Sequence, residues 1–179
     1  KEEFKARIPS FLPYDPSVVL YDAYASYVGD MLPYEYTGWR DEQMAWKDTC
    51  YLGMNLTPTT TSRIYGPDAM KFLKDNFVNS FEKFPVGKGK QGLMVDEDGF
   101  VTGCGVLIRT AEEEFYSYWL EPWLSYTFSC NSYNAQIEDL TDRVFLMQLA
   151  GPKSLQIIEK ASGENFHDLG YLRHKTGHI

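Results

Sequence analysis

The chain has 179 residues, 44% hydrophobic and 23% charged, the composition of an ordinary folded protein and not of a disordered or fibrous one. Its 25 Asp and Glu outnumber 17 Lys and Arg for a net charge of -8, so a phosphate backbone or an anionic membrane surface is repelled and neither is expected as a partner. No apolar run approaches the ~18 residues of a membrane span, no secretory leader opens the chain, and Cys50, Cys104 and Cys130 lack CxxC pairing, which together read as a cytoplasmic protein with free thiols.

Residues 1 to 16 carry Pro9, Pro13 and Pro16 without periodicity and read as an extended arm. From Ser17 to Met31, Leu20, Tyr21, Tyr24, Tyr27, Val28 and Met31 recur at spacings of three and four, which predicts an amphipathic helix. Trp39 to Cys50 predicts a second helix, with Asp41 and Glu42 in its first turn. Strands are predicted at Tyr51–Leu56 and Ser62–Tyr65. Gly66-Pro67-Asp68-Ala69 then opens a helix whose buried stripe is Ala69, Phe72, Leu73 and Phe77.

Lys90–Asp96 and Phe100–Arg109 are predicted strands of a hairpin turned by Asp96-Glu97-Asp98-Gly99. Another strand is expected at Phe115–Glu121, a helix at 122–132 and a strand at Asp142–Leu149. That strand enters Gly151-Pro152-Lys153-Ser154 and a helix carrying Leu155, Ile157, Ile158 and Ala161. The segments IYGPDAMKFLKD and QLAGPKSLQIIEK repeat one device, strand, Gly-Pro turn and helix, 85 residues apart. Such units mixed with hairpins predict an α+β fold with two related halves.

Phosphate-cradling, nucleotide-binding, nucleophile-elbow and HExxH signatures are all missing. Gly103-Cys104-Gly105 is the oddest local feature, because glycines inside a strand weaken it unless a bulge or a close approach calls for them. His174 and His178 stand four apart, but Gly177 breaks a helix there, so no metal is expected. Composition and spacing thus reach a folded α+β domain and no reaction.

Read together, several segments resemble the N-terminal half of the aminomethyltransferase family, which contains the T-protein of the glycine cleavage system and tetrahydrofolate-dependent demethylases. They are Thr37-Gly38-Trp39-Arg40-Asp41-Glu42-Gln43, Gly66-Pro67-Asp68-Ala69, Asn79-Ser80-Phe81, Phe84-Pro85-Val86, Lys90-Gln91, Asp98-Gly99 and Gln148 with Gly151-Pro152-Lys153. The resemblance is strongest to the O-demethylases of vanillate and methylgallate and runs in one order from about Tyr27 to the end. It implies ferredoxin-like repeated strand-helix-hairpin units, residues 1–179 being the N-terminal part of a folate-binding domain. The C-terminal half and a later barrel are expected to lie beyond Ile179, and the chain's start at Lys1 agrees with a fragment, inactive alone.

The implied reaction is methyl transfer from an ether to tetrahydrofolate, the other partner being a small-molecule methyl donor. Aminomethyl transfer, or folate binding without catalysis, are the alternatives. On the family pattern the candidate catalytic residues are Tyr27 and Cys104, and the candidate folate-binding residues are Gln91, Cys104, Tyr118 and Leu120. Cys104 stands where the family carries a carboxylate, Leu120 where relatives have Asn or Arg, and Met54 to Thr59 lack the family's acidic and histidine groups. A neutral thiol cannot orient a protonated N5 as a carboxylate does, so Cys104 reads as a space-filler beside the pterin more than as a base.

Overall fold

The computed structural model describes residues 20–22, 32–35, 37–53, 59–141 and 143–179. The chain divides into two compact units, one of Lys1–Pro58, Phe145–His167 and His178–Ile179, the other of Thr59–Val144 and Asp168–Gly177.

The second unit is built on a five-stranded antiparallel sheet. Its strands are β4 (Thr61–Tyr65), β5 (Lys88–Val95), β6 (Val101–Ala111), β7 (Glu114–Tyr118) and β8 (Gln136–Asp139), in the order β5-β6-β7-β4-β8. Helices α2 (Ala69–Asn76) and α3 (Trp123–Ser129) belong to the same unit. Both are shorter than the ~12 residues at which an isolated helix becomes stable, so tertiary packing has to hold them. The packing comes from a core of Ile64, Phe72, Leu73, Phe77, Phe81, Phe84, Met94, Leu107, Phe115, Leu120 and Leu124. Each fully buried side chain of this size stabilises by about 1.5–3 kcal/mol relative to its exposed state. Phe72 sits edge-on to Phe128 and Tyr133 at 5.1 and 5.3 Å, which fastens α2 to the end of α3 and the segment that follows it. The outer edge of β5 is covered at its start by residues 172–174, through Gly89 N–H to the Leu172 carbonyl and His174 N–H to that of Gly87.

In the first unit, β1 (Leu20–Asp22) pairs with β2 (Leu32–Glu35), and β3 (Tyr51–Gly53) pairs with β9 (Gln148–Ala150), both antiparallel. Helices α1 (Trp39–Asp48) and α4 (Ser154–Ser162) complete the elements described there.

The two Gly-Pro devices have one geometry. Gly66 and Gly151 lie at φ 120° and 132°, and Ala69 and Ser154 each donate N–H to the glycine carbonyl three residues back, at 3.0 and 3.1 Å. The N–H groups of Asp68 and Lys153 bond to Asn134 and Thr49, the residues that lead into the strand paired with the one before each glycine. A Cβ would sit 2.9 Å from the Ala135 Cα at Gly66 and 2.6 Å from the Thr49 carbonyl oxygen at Gly151, so both sites exclude side chains. An antiparallel α+β architecture is therefore present, with the Gly-Pro device used twice.

Two local expectations are corrected. The helix predicted from Ser17 to Met31 gives way at Leu20–Asp22 to β1, where leucine and tyrosine suit a paired strand as well as a helix face; Tyr27 and residues 23–31 lie outside those described. The strand predicted at Asp142–Leu149 shrinks to Gln148–Ala150, because the Leu140 carbonyl accepts from the N–H groups of Arg143 and Val144 in a turn. Leu155 and Ile157 of α4 are exposed.

Candidate functional site

The sheet of the second unit has two unlike faces. Ile64, Phe115, Leu107 and Met94 point into the core, and the residues alternating with them point the other way. On that other face Gln91 stands opposite Val106, Val106 opposite Tyr118, and Tyr118 opposite Thr61, one row across four strands. In the next row Cys104 stands opposite Leu93. Gln91 and Cys104 are both exposed, and the Gln91 amide donates from Nε2 to the Cys104 Sγ at 3.3 Å.

The glycines flanking Cys104 make room for the protein's own chain. A Cβ at Gly105 would lie 2.0 Å from the Tyr118 carbonyl oxygen and 2.8 Å from the Leu120 Cγ, and one at Gly103 would lie 3.4 Å from Leu120. On β5, Gly92 yields to Phe77 in the same way, at 2.9 Å. The backbone of β7 and the side chain of Leu120 thus press against the core side of β6, while Cys104, between the glycines, faces outward.

Of the sequence candidates, the fold brings Gln91, Cys104 and Tyr118 to one face. It does not bring Leu120 there. The predicted strand to Glu121 would have set Tyr118 and Leu120 on the same side, but β7 ends at Tyr118. Trp119 adopts φ 64°, its N–H bonds to the Thr60 carbonyl, and Leu120 turns into the core at 1% exposure. Tyr27 and Met54 to Pro58 lie outside the described residues. The His174 ring nitrogen lies 2.9 Å from the Arg109 carbonyl oxygen.

The same face holds charged groups that sequence reasoning passed over. Arg63 pairs with Glu114 and, at 3.4 Å, with Glu138, and its guanidinium lies 4.4 Å from the centre of the Tyr65 ring. Hydrogen bonds from Thr110 and from Arg63 hold the Glu114 carboxyl below the usual carboxylate range. Burial pushes the Tyr118 hydroxyl up, with the neighbouring Tyr116 adding to it, so Tyr118 stays a neutral O–H donor at physiological pH. The alternation in TSRIY was the available signal for Arg63 and Tyr65, since it sets both on the face opposite Ile64.

The family profile described as GCVT N-terminal domain matches residues 23–179. A sesamin methylene transferase of Sinomonas is 36% identical over 151 residues, 83% of this chain and 33% of the relative. A syringate O-demethylase of Sphingobium is 31% identical over 153 residues, 79% of this chain and 33% of the relative. The chain thus spans about a third of the length of these curated relatives. In fold it is similar to the glycine cleavage system aminomethyltransferase T of Bartonella henselae, at TM-score 0.73 and 18% identity over 88% of this chain and 43% of that one.

Proposed function

The chain belongs to the GCVT N-terminal domain family, and from that premise we propose that residues 1–179 are the N-terminal part of a larger cytoplasmic enzyme that moves a one-carbon unit from an aryl ether to tetrahydrofolate. The observation that carries this reading is the pair of relatives above 30% identity, one named for methylene transfer and one for O-demethylation, each matching about four fifths of the chain.

Cleaving an aryl ether means displacing a poor leaving group, so the enzyme has to place the nucleophile in line and deliver a proton to the departing oxygen. Tetrahydrofolate, when bound, supplies the nucleophilic nitrogen N5. The residues on the open sheet face suit a flat, polar-edged ring. The exposed Gln91 amide keeps its carbonyl oxygen available to accept a ring N–H, and Tyr118 offers a neutral hydroxyl from a buried position. Cys104, held beside the Gln91 amide, fills space there and carries no proton in the reaction. Tyr27 is proposed as the acid that protonates the leaving oxygen.

The test incubates the full-length protein with tetrahydrofolate and a panel of aryl methyl ethers, methylenedioxy arenes and methylamines. Methyl- or methylenetetrahydrofolate is expected with ethers and not with amines. Cys104→Ser is expected to keep turnover within a few-fold, and Cys104→Asp to be tolerated or faster, because a carboxylate gains from charge developing on N5. Loss of turnover in Cys104→Ser at unchanged folate affinity would show the thiol to be engaged in the chemistry. Product from amines alone would replace the ether reading with aminomethyl transfer.

A further inference from the structure

Just past the end of β7, Trp119 is held at φ 64°, in the left-handed region that a bulky side chain rarely enters and that persists only where the surroundings enforce it. Its N–H donates to the Thr60 carbonyl at 3.1 Å, which fixes this backbone against the residue leading into β4. Continued extension past Tyr118 would set Trp119 on the core face and Leu120 on the open one. The turn reverses both, burying Leu120 and leaving the Trp119 indole 40% exposed. The indole centre stands 6.3 Å from that of the Tyr118 ring, the planes inclined at 55°. Rings of successive strand residues that point to opposite faces are held apart by the backbone, so an approach this close sets the indole on Tyr118's side of the sheet.

Burying Leu120 needs the turn and not the ring. Glycine makes such a turn without strain and asparagine with little, so the fold does not call for an aromatic side chain at 119. What tryptophan adds is a broad π face, partly open to solvent, beside Tyr118 in the Gln91–Val106–Tyr118–Thr61 row. Gln91 lies two strands from β7, about 10 Å at ordinary strand spacing. A pterin that reaches from Gln91 to Tyr118 fills that interval and leaves the indole to a second ring.

We propose that Trp119 is the platform on which the aromatic ring of the ether donor stacks, and that it makes the enzyme prefer aryl ethers to saturated ones. The inference rests on the transferase reading, from which it takes the donor. Methyl transfer brings the donor carbon to about 3–3.5 Å from N5 and in line with it, so the donor ring has to lie next to the pterin, where the indole is. Contact between two aromatic rings is stronger than burial of the same area alone provides.

The experiment is calorimetric titration of the full-length protein, without tetrahydrofolate, with 4-methoxybenzyl alcohol and with its saturated counterpart (4-methoxycyclohexyl)methanol. The parent is expected to bind the aryl probe about tenfold more tightly. Trp119→Asn, which keeps the turn, is expected to erase that preference, and Trp119→Phe to retain several-fold of it. In turnover, Trp119→Asn is expected to raise KM for the aryl ether about tenfold with kcat within a few-fold, the mark of lost uniform binding. Tetrahydrofolate affinity is expected to be unchanged in both variants. A preference for the aryl probe that survives in Trp119→Asn, a loss of tetrahydrofolate affinity in place of donor affinity, or no saturable binding of either probe would overturn the proposal. Methyl transfer to tetrahydrofolate by the parent is measured separately, so failure of the transferase reading is distinguishable from failure of the stack.

Discussion

Gly105→Ala is expected to destabilise the five-stranded unit by about 3 kcal/mol or more, lowering its melting temperature by more than about 10 °C. The added methyl would stand 2.0 Å from the Tyr118 carbonyl oxygen, less than any real carbon–oxygen contact, and 2.8 Å from Leu120. The first of these is backbone, so relief requires β6 and β7 to separate at Val106–Tyr118. Gly103→Ala meets only side-chain atoms, at 3.4 Å and beyond, and is expected to cost little. Thermal unfolding of the two variants followed by circular dichroism checks the contrast. Equal melting temperatures would mean that β7 does not press on β6, and the outward placement of Cys104 would lose its explanation.

The second large effect concerns Gln91. Gln91→Leu preserves the volume of an exposed side chain and should leave the fold intact, but it removes the one carboxamide on the Gln91–Val106–Tyr118–Thr61 row. If the pterin edge bonds to that amide, the variant strands a desolvated polar atom on the ligand. Such a loss amounts to about 1–3 kcal/mol, on the order of tenfold to a hundredfold in tetrahydrofolate affinity. Titration of full-length wild type and variant with tetrahydrofolate measures it. An affinity unchanged in Gln91→Leu removes Gln91 from the folate contacts.

The Gly-Pro turns, the α2 stripe and the β5–β6 hairpin were legible in the sequence because each is fixed by local rules: a glycine at positive φ, apolar spacing of three and four, an Asp-Gly turn. The segment at Leu20–Asp22 was not, since its leucine and tyrosine fit either period and pairing with Leu32–Glu35 decides. Within the site, the resemblance nominated Gln91, Cys104 and Tyr118, and strand pairing puts them on one face. The exclusion of Leu120 depends on one backbone angle at Trp119, which period-two alternation has no means of foreseeing. The glycines around Cys104 suggested a bulge or a close ligand, and both effects are tertiary. A register shift occurs beside Met94, and the close neighbour is the chain itself at Tyr118 and Leu120.

In the proposed reaction carbon leaves an ether oxygen and arrives on tetrahydrofolate in one enzyme-bound step. It is tested most directly by giving the full-length protein an aryl ether labelled with carbon-13 at the O-methyl group and following the label by NMR in the presence of tetrahydrofolate. Free phenol and labelled 5-methyltetrahydrofolate are expected in equal amounts, with neither formed when tetrahydrofolate is withheld. Label appearing in methanol or formaldehyde, or phenol released without tetrahydrofolate, would contradict it.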